Sequence, residues 1–169
     1  HTPGLKVVYP AFPNDAKGLL ISSIEDPNPV MYFEHKALYR SVRENVSENY
    51  FNIELGIANM IRSGNEVTII SYGMGVHWAV STLDKLNYRD ADLIDLRTLV
   101  PLDFKLIKTS LKKTGKLIIL QEDCYIGGFA SHISSLVSEE CFELLDAPIF
   151  ICSSIATPVP FSLNLEDNF

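Results

Sequence analysis

Residues 22–36 read SSIEDPNPVMYFEHK, and they hold the densest set of oxygen-bearing side chains beside a helix end. Asp26 and Asn28 are each followed by a proline. A helix ends with about four carbonyls lacking intrahelical partners and with partial negative charge. Pro27 and Pro29 cannot continue the helix and bring no N–H to those carbonyls. The carbonyls of Ser23 and Ile24, with the side chains of Asp26 and Asn28, then converge within one turn. That is an all-oxygen shell suited to a hard cation. With a single carboxylate, a monovalent ion suits it better than Mg2+. On the residues alone, a plain helix stop is the better reading.

The other chemistry-bearing residues are weaker candidates. GMG at 73–75 lacks the last glycine of a dinucleotide fingerprint, because position 78 is Trp, so a tight βα turn is preferred over a nucleotide site. Gly127–Gly128 opens a helix, where free N–H groups bind anions and where glycine also permits a sharp turn; the two readings stand level. His35, His77 and His132 share no metal spacing, and helix-face roles fit His77 and His132. There is no GxSxG elbow and no Ser/His/Asp or Cys/His set. Cys124 stands near a helix start, where thiol pKa values fall, but a structural thiol is preferred. Arg97 in DLRTLVP is expected to pair with Asp95, Asp103 or a partner chain.

The elements that must position these residues alternate. LKVVYP reads as a strand, and NDAKGLLISSIED as a helix capped by Asn14 or Asp15. PVMYFE reads as a strand covered on both faces, since it shows no alternation. Residues 41–65 are more polar and read as a linker with one or two short strands. From residue 66 strands and helices follow regularly: VTIISYG, MGVHWAVSTLDKL, ADLIDLRT, LDFKLIKTSLKKTG, KLIILQED, GGFASHISSLVSEECFELL and PIFICSS. Asp103 stands near the start of the fourth of these and Gly115 just after its lysine-rich end, as dipole and capping rules favour. Such alternation predicts a three-layer αβα fold with a mostly parallel, doubly wound sheet. Its ligands would gather at strand carboxyl ends, here SYGMG, DLRTLVP and QEDCYIGG.

Composition narrows the function. The net charge of -7, without a Lys/Arg cluster, gives no support to nucleic-acid binding. No apolar run reaches the ~18 residues of a membrane span. Three cysteines at irregular spacing favour free thiols in a reducing compartment. Both ends look cut from something longer.

PGLKVVYPAFPNDAKGLLISSIEDPNPVMYFEHKALYR, VTIISYGMGVHWAV, DLRTLVPLD, GKLIILQED, GGFASHIS and TPVPF together resemble the β subunit of thiamine-diphosphate-dependent 2-oxo-acid dehydrogenases. The resemblance covers essentially the whole chain in order. SSLVSEECFELLDAPI leans towards the branched-chain, 2-oxoisovalerate type over the pyruvate type. The resemblance implies that residues 1–40 end a pyrimidine-binding αβα domain and that 66–169 form the transketolase-like C-terminal domain. It implies a structural K+ at Ser23, Ile24, Asp26 and Asn28, which turns the reading of that stretch towards the cation. It implies partners: an α subunit or α half, a second β subunit and the lipoyl acyltransferase core. The cofactor-activating glutamate and a histidine loop would lie upstream, and the diphosphate and Mg2+ would be held by the α side. No residue of this chain is therefore expected to be catalytic or to hold thiamine diphosphate, and the chain alone is expected to be inactive. The expected location is the cytoplasm, or the mitochondrial matrix in a eukaryote. The rival readings are a stand-alone αβα docking module and a relative of transketolase or deoxyxylulose-phosphate synthase.

Overall fold

The computed structural model describes residues 2–166; His1 and residues 167–169, at the outer bounds of the two expected domains, lie outside it. The chain runs β1 (Lys6–Val8), α1 (Pro13–Glu25), β2 (Val30–Tyr32), α2 (Leu38–Ser41), β3 (Asn59–Arg62), β4 (Val67–Ser71), α3 (Met74–Lys85) and β5 (Ala91–Asp95). It continues through β6 (Thr98–Val100), α4 (Phe104–Thr114), β7 (Leu117–Cys124), α5 (Phe129–Glu140), a 3-10 turn (Phe142–Leu144), β8 (Phe150–Ser154) and α6 (Leu163–Glu166).

Two sheets result. The first is ordered β2-β1-β6 and the second β3-β5-β4-β7-β8. In the second, β5, β4, β7 and β8 are all parallel, and only the edge strand β3 runs antiparallel, along β5. Successive apolar residues on its strands point to opposite faces, so both faces need a cover. Ile70, Ile94 and Ile119 meet Ile107 and Leu111 of α4 and Ile133 and Val137 of α5. Their neighbours Ile69, Leu93 and Ile118 meet Ala79 and Leu83 of α3 on the other side. This is the three-layer, doubly wound arrangement expected. Asp103 caps α4 by accepting the Leu106 N–H at 3.0 Å, and Gly115 ends it in the left-handed region at φ 63°.

The first sheet departs from expectation in two places. β2 is an edge strand and Met31 is 45% exposed, so it is not covered on both faces. Helix α1 starts two or three residues earlier than a cap at Asn14 or Asp15 requires. Phe12 is its N-cap and makes no side-chain cap, and Pro13 takes the first position, where a missing N–H costs nothing. The Asn14 N–H is instead satisfied by Glu44 Oε2 at 2.9 Å, and Asp15 turns inward and is buried.

Two connections join the sheets. The segment after α2 wraps α1: Ile53 N–H donates to Gly18 O at 3.2 Å and Ser22 Oγ donates to Ile53 O at 2.5 Å. A Cβ on Gly18 would stand 2.6 Å from Ile53 Cγ1, so glycine there lets the segment lie close. That segment then becomes β3, so part of the stretch 41–65 is built into the second sheet. The second connection breaks the strand read as ADLIDLRT. β5 stops at Asp95, Arg97 adopts φ 58°, and β6 crosses over to pair antiparallel with β1. The chain therefore passes from one sheet to the other within Leu96 and Arg97. Leu96 N–H donates to Ser71 O at 2.9 Å and Tyr9 N–H to Arg97 O at 2.8 Å, which ties the crossing to both sheets.

Candidate functional site

The turn that ends α1 brings two of the four expected cation ligands, Asp26 and Asn28, into contact. Asp26 N–H closes the helix on Ser22 O at 3.0 Å. The residue four beyond Ser23 is Pro27, which has no N–H, so the Ser23 carbonyl has no helical donor. The residue four beyond Ile24 is Asn28, whose N–H goes to Asp26 Oδ1 at 2.9 Å. Both carbonyls are thus left without intrahelical donors. The Asn28 amide also donates to Asp26 Oδ1, at 3.2 Å, while Ser23 Oγ donates back to Leu19 O at 2.7 Å. The Lys6 ammonium pairs with Asp26 Oδ2. That bond, followed by the Asn28 N–H, holds the Asp26 carboxyl below the usual range. Neutral carbonyl donors fit a monovalent cation. The carboxylate is already shared with an ammonium, so it answers a divalent ion poorly. Among the described residues no group of three His, Cys, Asp or Glu is placed to hold a metal.

The carboxyl ends of the second sheet meet the loops of the first. The Tyr9 ring packs between Phe33 and Tyr72, with centroids at 6.0 and 5.6 Å. Burial raises the Tyr72 hydroxyl well above its ordinary pKa, and Asp123 adds to the shift. His35 Nε2 meets Glu122 Oε1 at 2.9 Å. His77 Nε2 bonds the Ala11 carbonyl at 2.7 Å, beneath Phe12. The crevice in which such sheets bind ligands is thus lined here by contacts between the two sheets.

The first glycine turn is closely packed, and the second is packed at Gly128 but open at Gly127. A Cβ on Gly73, at φ 54°, would stand 2.8 Å from the Tyr9 ring, and one on Gly75 would be 2.2 Å from Ser71 Oγ. At the start of α5, Gln121 is buried, its Oε1 accepts the Ala130 N–H at 2.7 Å and its Nε2 donates to Cys124 O at 2.9 Å. Gly128 packs against that amide. The N–H groups a diphosphate would need are in part already taken, and no basic side chain lies among these contacts.

Residues 56–169 match the family described as transketolase, C-terminal domain. The chain belongs to that family. The transketolase C-terminal domain thus starts at the approach to β3 and takes in the whole second sheet together with β6. Along its whole length the chain is similar to β subunits. It is 43% identical over 162 residues to the 2-oxoisovalerate dehydrogenase subunit beta 2, mitochondrial, of Arabidopsis thaliana, covering 95% of this chain and 45% of that protein. It is 45% identical over 169 residues to the acetoin:2,6-dichlorophenolindophenol oxidoreductase subunit beta of Bacillus subtilis, covering 99% and 49%. It is 42% identical over 162 residues to the pyruvate dehydrogenase E1 component subunit beta of the same bacterium, covering 95% and 50%. The chain spans about half the length of the curated relatives it matches. A split gene transketolase, an inactive beta4 tetramer, shares the fold with a TM-score of 0.77 at 23% identity, over 97% of this chain and 53% of that one.

Within the transketolase C-terminal domain the structure corrects one pairing. The Arg97 guanidinium does not bond the side chain of Asp95 or Asp103. It grips Asp15 of α1 through Nε at 2.8 Å and Nη2 at 2.6 Å. Asp103 is taken by the α4 cap and by the Ala58 N–H at 3.0 Å. Asp95 accepts only the Arg97 backbone N–H, at 3.1 Å. Sequence reading missed Asp15, Gln121, Glu122 and the Lys6–Asp26 pair, whose partners are distant in the chain or lie across a turn. The one available signal for Asp15 was a carboxylate on the helix face that also carries Leu19. The cysteines are free: Cys141 is buried and its thiol pushed up by burial, and Cys124 Sγ lies 3.2 Å from Ile126 O.

Proposed function

We propose that this chain is the C-terminal half of the β subunit of a thiamine-diphosphate-dependent 2-oxo-acid dehydrogenase, with 2-oxoisovalerate as substrate. The intact enzyme would decarboxylate the acid oxidatively and pass the acyl group to a lipoyl carrier. The observation that carries this reading is 42–45% identity over at least 95% of the chain to β subunits of two such enzymes and of an acetoin oxidoreductase. Thiamine diphosphate would be held with Mg2+ by the α side and upstream residues, and when bound it would supply the electron sink for decarboxylation. This chain's own residues build and hold the framework. The Tyr9–Phe33–Tyr72 stack, His35–Glu122 and Asp15–Arg97 join the two sheets at the strand ends. The exposed remainder would meet the α subunit, a second β subunit and the acyltransferase core.

A structural K+ at the α1 turn belongs to the same reading. Its ligands would be the carbonyls of Ser23 and Ile24 and the side chains of Asp26 and Asn28, with Lys6 sharing Asp26. The test uses the full-length β subunit copurified with its α subunit. Turnover of 2-oxoisovalerate, pyruvate and acetoin is measured side by side. The highest kcat/KM is expected on 2-oxoisovalerate, and a higher value on acetoin would reject the substrate assignment. The 169-residue chain alone is expected to show no turnover with thiamine diphosphate and Mg2+. In the full-length subunit, K+ at a hundredfold excess over Kd should add about 2.7 kcal/mol of stability relative to a large organic cation. Equal melting in the two salts would remove the K+ site.

A further inference from the structure

The residue least accounted for by the fold is Asp95. It ends β5 where the chain leaves the second sheet for the first, and it is fully buried. Its Oδ1 accepts the Arg97 N–H, and its Oδ2 has no partner among the described residues. The neighbouring strands place Asn59 and Ser71 beside it in register, both neutral. The charged groups acting on it are Asp15 of α1 and Arg97 of its own turn. Arg97 gives Asp95 no side-chain hydrogen bond, two of its three guanidinium nitrogens being engaged by Asp15. Two carboxylates therefore stand near one guanidinium in a largely buried space, and only one of them is paired with it. A buried ionised carboxylate without a partner is costly, and protonation removes that cost.

We propose that Asp95 is a proton-operated catch in the joint between the two sheets: protonated, it leaves Arg97 wholly to Asp15, and ionised, it competes with Asp15 for that guanidinium and loosens α1 from the joint. The joint is built to respond. Arg97 is held in the left-handed region, its carbonyl takes the Tyr9 N–H, and Asp15 lies in the first turns of the helix that crosses the first sheet. Burial is the largest influence on the Asp95 carboxyl and pushes it up to about 7, with Asp15 adding to the rise and Arg97 opposing it. The catch would thus work near neutrality.

The test is carboxyl-carbon NMR on the aspartate-labelled chain from pH 4 to pH 9, with Asp95→Asn to assign the signal, alongside amide exchange corrected for intrinsic rate. One carboxyl is expected to titrate near pH 7. As it does, exchange in α1 should speed up severalfold relative to β4, and Asp95→Asn should lack that step. Titration of Asp95 in the ordinary carboxylate range overturns the proposal. So does an α1 exchange step that is the same in Asp95→Asn. If Asp95→Asn fails to fold, Asp15→Asn replaces it. With Asp15 neutral, Arg97 is released to Asp95, and the Asp95 titration should fall by about one pH unit or more. An unmoved titration overturns the proposal.

Discussion

Asp92 and Asp95 stand three residues apart on β5, and both are withdrawn from water, yet only Asp92 has its charge answered. Asp92 accepts the Gly64 N–H at 2.8 Å, the Ser110 hydroxyl at 2.6 Å and the Lys113 ammonium at 2.7 Å. Burial acts to raise its pKa, but Lys113, Ser110 and Gly64 outweigh it and the carboxyl ends below the usual range. Asp95 has one N–H and an orphaned oxygen, so burial wins. Burial alone therefore does not set a buried carboxylate's state. The number of donors facing it does. The difference follows from packing. Helix α4 lies along the sheet and turns Ser110 and Lys113, three residues apart, onto Asp92. Asp95 sits where the chain is leaving that sheet, and the nearest cation has been drawn off by α1.

The comparison breaks most severely if Asp92 is removed. Asp92→Ala should cost about 3 kcal/mol in urea unfolding, because Lys113, Ser110 and the Gly64 N–H lose their shared acceptor. The half-exposed Lys113 can regain water, which keeps the loss below that of a fully enclosed pair. Asp95→Asn should do the opposite at neutral pH. The folded pKa of about 7 lies above the unfolded value of 3.8, so between those limits the folded state holds a proton the unfolded state has lost. That stabilising difference is fully present below the unfolded value and is lost as pH rises through the folded one. The parent chain should therefore lose up to ~1.4 kcal/mol per pH unit across that window from this group. Asp95→Asn should lack this component of the slope, and so gain on the parent by up to about 4 kcal/mol between pH 4 and pH 8. Asp92 contributes with the reverse sign, its stabilisation being lost as pH falls through its lowered pKa. The smallest effect is Ser110→Ala, about 1 kcal/mol in the urea midpoint, since Asp92 keeps two of three donors while Thr68 loses a partner. An equal loss from Ser110→Ala and Asp92→Ala would mean that Lys113 contributes nothing.

The same contrast separates the two sheets. The second is buried between helices on both faces. The first is three strands with Met31 half exposed, and α1 turns Leu20 and Ile24 outward. What holds the first to the second is a short set of polar and aromatic contacts through Tyr9, His35, His77 and Arg97, together with the β1–β6 pairing.

Much of this was legible in the linear chain. The alternation of apolar strands and amphipathic helices after residue 66 specified the layers, because side-chain period is a local property of helix and strand. The Asp103 and Gly115 caps were readable for the same reason, as was the carbonyl-rich turn at Asp26 and Asn28: prolines remove N–H groups wherever the chain goes. The residues quoted for the β-subunit resemblance also stood in the sequence itself. The tertiary structure alone decided the break at Leu96 and Arg97, the grip of Arg97 on a carboxylate 82 residues away, and the unpaired Oδ2 of Asp95. It alone packed Gly73 against Tyr9 and Gly128 against Gln121 and set Lys6 on Asp26. Those outcomes depend on which elements come to lie against each other. A charge in a buried joint takes the donor that packing brings nearest, and sequence spacing carries no record of that distance.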